Sequence, residues 1–130
     1  MKKNIWAIIA ARSGSKSIRD KNIKLLNKKP LIAYTIISAI KSRVFKKILV
    51  LTDSIKYAKI AKKYGAEIPF IRPKEISQDL STDNELYQFL IKFLDKKRIA
   101  PPDFFAHLSP VVPIRLNNVI KRGVEYFFRK

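Results

Sequence analysis

The run Ile5-Trp6-Ala7-Ile8-Ile9-Ala10 is apolar at every position, and this continuity constrains the fold more than any other stretch of the chain. A strand with one wet face alternates apolar and polar residues. A strand without alternation needs cover on both faces, which is the situation of a central strand in a parallel sheet. Following Met1-Lys2-Lys3, the same run imitates a secretory leader. It is short, Arg12 ends it and no small-residue cleavage pattern follows, so it reads as a buried first strand.

The rest of the chain alternates helical and strand-like periods. Pro30 serves as a first-turn residue for a helix to about Val44, with Ile32, Ile36, Ile37 and Ile40 at helical spacing. Ile48–Leu51 reads as a second strand. A helix from about Ser54 to Tyr64 follows, capped by Asp53 or Ser54 and closed by Gly65. Ile68–Ile71 reads as a short third strand. Thr82 and Glu85 form a capping box, after which Leu86, Phe89, Leu90, Phe93 and Leu94 share one helix face. Phe104–Leu108 is a further strand, and a last helix begins near Asn117. Its apolar residues Val119, Ile120, Val124, Phe127 and Phe128 form a face that needs a partner. This order predicts an α/β, Rossmann-like, mostly parallel sheet with helices on both faces and right-handed crossovers, as one domain over residues 1–130.

Composition narrows the function. With no cysteine and a single histidine, His107, disulfide frameworks, thiolate metal sites and His-rich centres are excluded. No apolar stretch reaches membrane-spanning length, so the chain reads as a soluble, cytoplasmic protein with no membrane partner. The net charge of +18 attracts polyanions. The cations are nevertheless scattered pairs (Lys28-Lys29, Lys46-Lys47, Lys62-Lys63, Lys96-Lys97) rather than one stripe. Lysines also outnumber the arginines that read bases with a planar fork, so dedicated nucleic-acid binding is disfavoured.

In open parallel sheets, ligands bind beyond the carboxyl ends of the strands, which directs attention to loops 11–22, 52–54, 71–82 and 109–115. The first is small, rich in hydroxyls and carries Arg12, Lys16, Arg19 and Lys21 directly after the buried strand. Such a loop can offer backbone N–H groups and positive charge to a phosphate. It is neither a P-loop nor a G-x-G-x-x-G turn.

The stretch Ile8-Ile9-Ala10-Ala11-Arg12-Ser13-Gly14-Ser15-Lys16-Ser17-Ile18-Arg19-Asp20-Lys21-Asn22-Ile23 resembles the signature I-I-P-A-R-G-G-S-K-G-I-x-x-K-N-I of the acylneuraminate cytidylyltransferase (CMP-sialic acid synthetase) family. The resemblance continues through Lys29-Pro30-Leu31-Ile32-Ala33-Tyr34-Thr35-Ile36, Leu51-Thr52-Asp53-Ser54 and Ala61–Pro73, in order along the chain. It implies a nucleotidyltransferase fold of which this chain is the N-terminal, nucleotide-binding part. It assigns the nucleotide and triphosphate to the Ala11 backbone, Arg12, Ser15, Lys16, Lys21 and Asn22, with Arg12, Lys16 and Lys21 catalytic. Arg72 and the backbone near Ser81 fall where the family reads cytosine. Asp53 follows a strand and precedes a helix, so a capping role competes with a catalytic one. The segment Leu108-Ser109-Pro110-Val111-Val112-Pro113-Ile114-Arg115 aligns with L-Q-P-T-S-P-L-R and makes Ser109 and Arg115 the sugar contacts. Ser109 replaces a glutamine there, and Val111-Val112 replace a Thr-Ser pair. His107 reads as a strand-end residue without a catalytic role.

The activity implied is transfer of CMP from CTP to a sialic-acid-like nine-carbon α-keto acid sugar, with release of pyrophosphate. Mg²⁺ is implied as cofactor, with its ligands outside this chain, and a homodimer is implied for a full-length relative. Two alternatives stand beside it. One is a related cytidylyltransferase for pseudaminic, legionaminic or 3-deoxy-octulosonic acid; the other is a non-catalytic nucleotide-binding fragment.

Overall fold

In a computed structural model, which describes residues 3–13, 23–77, 83–110 and 119–129, β1 (Ile5–Ala10) lies at the centre of a parallel sheet. Its neighbours are β4 (Lys47–Leu51) on one side and β5 (Phe104–Leu108) on the other. Trp6 pairs with Lys47 and Phe105, and Ile9 with Val50 and Leu108. Ile5 to Ile9 are all buried, as the unbroken apolar run requires.

Helices cover both faces. On one face α1 (Leu31–Ser42) and α2 (Ile55–Lys63) bring Ile32, Ile36, Tyr57 and Ala61 against Ile9 and Val50. On the other, α3 (Asp83–Lys96) brings Leu86, Leu90 and Leu94 against Trp6, Ile8 and Leu51. Phe89 and Phe93 are only half-buried and stack on Phe70, with ring centroids at 4.8 and 5.0 Å. The last helix, α4 (Val119–Arg129), contacts α1 and sets Phe127 and Phe128 against Phe104.

Several boundaries differ from expectation. The third strand is reduced to two parallel bridges, Leu49 with Glu67 and Thr52 with Ile71. Glu67 donates to Ile48 O and accepts from Val50 N, so the next ladder donor in register is residue 69, which is Pro69 and has no N–H. The chain slips one residue past this point before Arg72 N bonds Thr52 O at 2.8 Å. Pro30 sits just before α1 rather than in its first turn, with extended ψ of 145°. It closes a hairpin of β2 (Leu25–Leu26) with β3 (Lys29–Pro30), and Asn27 and Lys28 at the turn have φ of 50° and 68°, as a two-residue hairpin loop demands. Helix α1 stops at Ser42 because Arg43 turns left-handed, at φ 59°. Its core face is Ile32, Ala33, Ile36 and Ala39, while Ile40 is exposed. Ser54, not Asp53, caps α2, its Oγ accepting from Tyr57 N at 3.1 Å. Thr82 of the expected capping box and the start of the last helix near Asn117 lie outside the described residues. No helix among the described residues is long and apolar enough to cross a membrane.

Candidate functional site

The chain leaves β1 toward β4 on one side and later returns to β5 on the other. The carboxyl end of β1 is therefore a topological switch point, where open α/β sheets bind ligands. Ala11 extends the ladder by one step: its N–H donates to Leu51 O at 3.0 Å, so a ligand at this position can meet only its carbonyl. Ser13 comes next, held by a double bond to Asp53. The Ser13 N–H donates to Oδ1 at 2.8 Å and its hydroxyl to Oδ2 at 2.9 Å. Asp53 thus clamps the start of the basic loop instead of capping a helix.

Two guanidinium groups converge beside this clamp. Pro73 is extended and Lys74–Ile76 form one 3₁₀ turn, closed by the Ser77 hydroxyl on Pro73 O at 2.8 Å. That turn aims two carbonyls back at the arginines. Arg72 Nη2 donates to Ile76 O at 2.6 Å and Arg12 Nη1 to Ser77 O at 3.4 Å. Arg72 is only 6% exposed, and its buried Nε has no hydrogen-bond partner among the described residues. Burial lowers its pKa; Asp53 opposes that shift, Arg12 adds to it and Asp83 opposes it. Arg72 stays a cation at neutral pH, so two guanidinium charges stand beside Asp53 and Asp83. A buried donor and two converging cations can take an anionic or strongly polar ligand.

Ser109 lies at the other side of the switch point. It is half-buried, and its carbonyl accepts from the Thr35 hydroxyl on α1 at 2.9 Å. His107, two residues earlier, is exposed and bonded through Nδ1 to the Tyr87 hydroxyl at 2.7 Å. Of the residues singled out from sequence, Ala11, Arg12 and Arg72 gather at the ends of β1 and β4, and Ser109 stands at the end of β5. Ser15, Lys16, Lys21, Asn22, Ser81 and Arg115 lie outside the described residues.

Ser13, Ser77 and Asp83 were not singled out. Ser13 and Asp53 had a usable signal: Ala10 pairs with Leu51, so two strands in that register bring the following residues side by side. Ser77 had none, because a single 3₁₀ turn leaves no period in the sequence.

The cytidylyltransferase family model matches residues 6–99. The chain is 39% identical over 127 residues to an N-acylneuraminate cytidylyltransferase of Escherichia coli, covering 98% of this chain and 29% of that protein. It is 38% identical over 122 residues to a CMP-N,N'-diacetyllegionaminic acid synthase of Legionella pneumophila, covering 93% of this chain and 52% of that protein. It is 36% identical to a pseudaminic acid cytidylyltransferase of Campylobacter jejuni, again covering 52% of the relative. The chain thus spans about half, or less, of the length of these relatives. The fold is similar to that of a CMP:2-keto-3-deoxy-manno-octonic acid synthetase solved with CTP, at a TM-score of 0.71 and 18% identity, covering 97% of this chain and 46% of the other.

Proposed function

Since the chain belongs to the cytidylyltransferase family, we propose that it forms the CTP-binding part of an enzyme that joins CMP to an acidic keto sugar. The observation that carries this reading is the pair Arg12 and Arg72, two cations converging where the sheet's topology expects a ligand. Arg12, with Lys16 and Lys21, neutralises the triphosphate. Arg72, whose Nε is buried and without a partner among the described residues, reads the cytosine with a planar fork, next to the backbone near Ser81. The Ala11 carbonyl, Ser15 and Asn22 complete the nucleotide contacts, and Ser109 and Arg115 face the sugar.

In the reaction, the anomeric hydroxyl oxygen of the sugar forms a bond to the α-phosphorus of CTP. The bond from that phosphorus to the pyrophosphate oxygen breaks, and the hydroxyl proton is lost. Such transfers are accelerated by positioning and by fixed charge where negative charge builds. Arg12, Lys16 and Lys21 supply that charge. Mg²⁺, which the resemblance implies, would be held by one or two carboxylates together with the phosphates, and its ligands are expected outside this chain. No group of three or more His, Cys, Asp or Glu gathers among the described residues, and both Asp53 oxygens are engaged by Ser13. The chemistry proposed for this chain rests on its own cations.

The acceptor is assigned as a class. Relatives at 39%, 38% and 36% identity carry the names of three different sugar acids, so identity alone favours none of them. A sialic-acid-like nine-carbon sugar is our main reading, with the whole protein acting as a cytoplasmic homodimer.

Calorimetric titration with CTP, UTP, ATP and GTP tests the nucleotide assignment. CTP is expected to bind best. Arg72→Ala and Arg12→Ala are each expected to weaken it by about 1.5–3 kcal/mol, the worth of hydrogen bonds to charged groups. Unchanged affinity in both folded variants would remove the assignment.

A further inference from the structure

Tyr87, on the second turn of α3, and His107, near the end of β5, form a hydrogen-bonded pair that the nucleotide site does not use. Their rings are 5.9 Å apart, and Tyr87 also packs on Phe105 at 5.7 Å. Burial, helped by the charge of Asp83, pushes the Tyr87 pKa up to about 12, so at neutral pH it is a phenol with a proton to donate. Donation to Nδ1 of the neutral imidazole assigns the ring's own proton to Nε2. In the imidazolium, Nδ1–H turns its bond onto the phenol oxygen and Nε2 is again protonated. In both of these states Nε2 is a donor, whereas a neutral ring with its proton on Nδ1 would donate to the phenol oxygen and leave Nε2 an acceptor. Among the described residues Nε2 has no partner, on an exposed side chain.

The pair's position gives this donor a use. Alternation along a strand puts His107 and Ser109 on the same side of β5. Beyond them the Ser109 carbonyl is tied down by Thr35, so the end of β5 is a fixed platform. Arg12 and Arg72 occupy the opposite side of the switch point, after β1 and β4. Asp83 acts electrostatically on both Arg72 and Tyr87, so the pair and the arginines lie within one field. If the nucleotide takes the β1 and β4 side, its reaction partner must enter from the β5 side. We propose that His107, oriented by Tyr87, is a specificity-determining contact that donates from Nε2 to the carboxylate of the acidic sugar acceptor.

This proposal rests on the functional reading above, and its test separates the two. The chain has one histidine, so its imidazole Cε1–H resonance is unambiguous by NMR. N-acetylneuraminate is titrated into the full chain in the presence of saturating CTP. The His107 resonance is expected to shift saturably as a carboxylate arrives. The titratable groups already facing the ring are Tyr87 and, through it, Asp83. The methyl ester of the same sugar should shift the resonance far less. Tyr87→Phe is expected to weaken sugar binding by about three- to tenfold, the worth of one hydrogen bond, with CTP affinity unchanged. His107→Gln, which keeps a donor, should bind better than His107→Ala. A His107 signal that ignores the sugar in a sample that binds CTP overturns the proposal and leaves the nucleotide reading intact. An equal response to the ester overturns the carboxylate assignment. A folded chain that binds neither CTP nor sugar removes both readings.

Discussion

Tyr87 and Arg72 are both driven from their ordinary pKa by burial, yet with opposite consequences for the chain. Burial disfavours the charged form of each. For Tyr87 that form appears only at high pH, whereas Arg72 carries its charge at every pH where the protein is folded. Tyr87 rises from 10.0 to about 12, so the native state holds a proton that the unfolded chain releases first. Its contribution to stability is fully present below pH 10 and is lost as pH climbs toward about 12. Denaturant unfolding at stepped pH should therefore show stability falling across that window. In Tyr87→Phe the fall should be shallower, and identical slopes in the two proteins would mean that the phenol is not held as described. Arg72 offers no such window. Its burial is a standing cost, partly offset by the Ile76 carbonyl and Asp53, and an anionic ligand would offset it further.

The junction of α2 with the bridge at Glu67 turns on Gly65. Its φ of 109° is a region that side chains disfavour, and a Cβ built there would lie 2.8 Å from Ile40 Cδ1. Gly65→Ala is expected to destabilise by about 1–3 kcal/mol through backbone strain alone. Adding Ile40→Ala frees the space but not the φ, so the double variant should recover little; full recovery would mean that the clash, not the backbone, was the cost. Gly65 was legible because a helix terminator has a residue signature. The same holds for β1, β4, β5 and α3, each of which carries its apolar signal over five or more residues. What escaped lacks repetition. A hairpin of two-residue strands has no period, and its turn is Asn27-Lys28 rather than a glycine pair. The third strand looked continuous because Ile68, Phe70 and Ile71 are apolar, while Pro69 between them cannot donate. At the site, Arg12 stood out as a cation of the loop after β1 and Arg72 was found from a resemblance. Their link through the carbonyls of Ile76 and Ser77 depends on a fold that brings position 12 beside position 77, which no local pattern encodes.

At the scale of the whole molecule two kinds of electrostatics act on a nucleotide, and salt can separate them. The net charge of +18 sets up a long-range field that draws any triphosphate, and that field is screened over about 10 Å at 0.1 M salt. Arg72, 6% exposed, acts at contact distance where ions scarcely penetrate. CTP and UTP carry the same triphosphate, so the field attracts them equally; their difference must come from groups that touch the base. Raising salt from about 50 to about 200 mM should therefore weaken both nucleotides, as it weakens the phosphate contacts of basic proteins generally. The ratio of CTP to UTP affinity should stay constant across that range. In Arg72→Lys the charge remains but the planar fork is lost, so the salt slope should be kept while the ratio falls toward one. A ratio that collapsed with salt in the unaltered chain would place discrimination in exposed charge. Arg72 would then be a structural arginine, held by Ile76 and Asp53 for the sake of the loop it anchors.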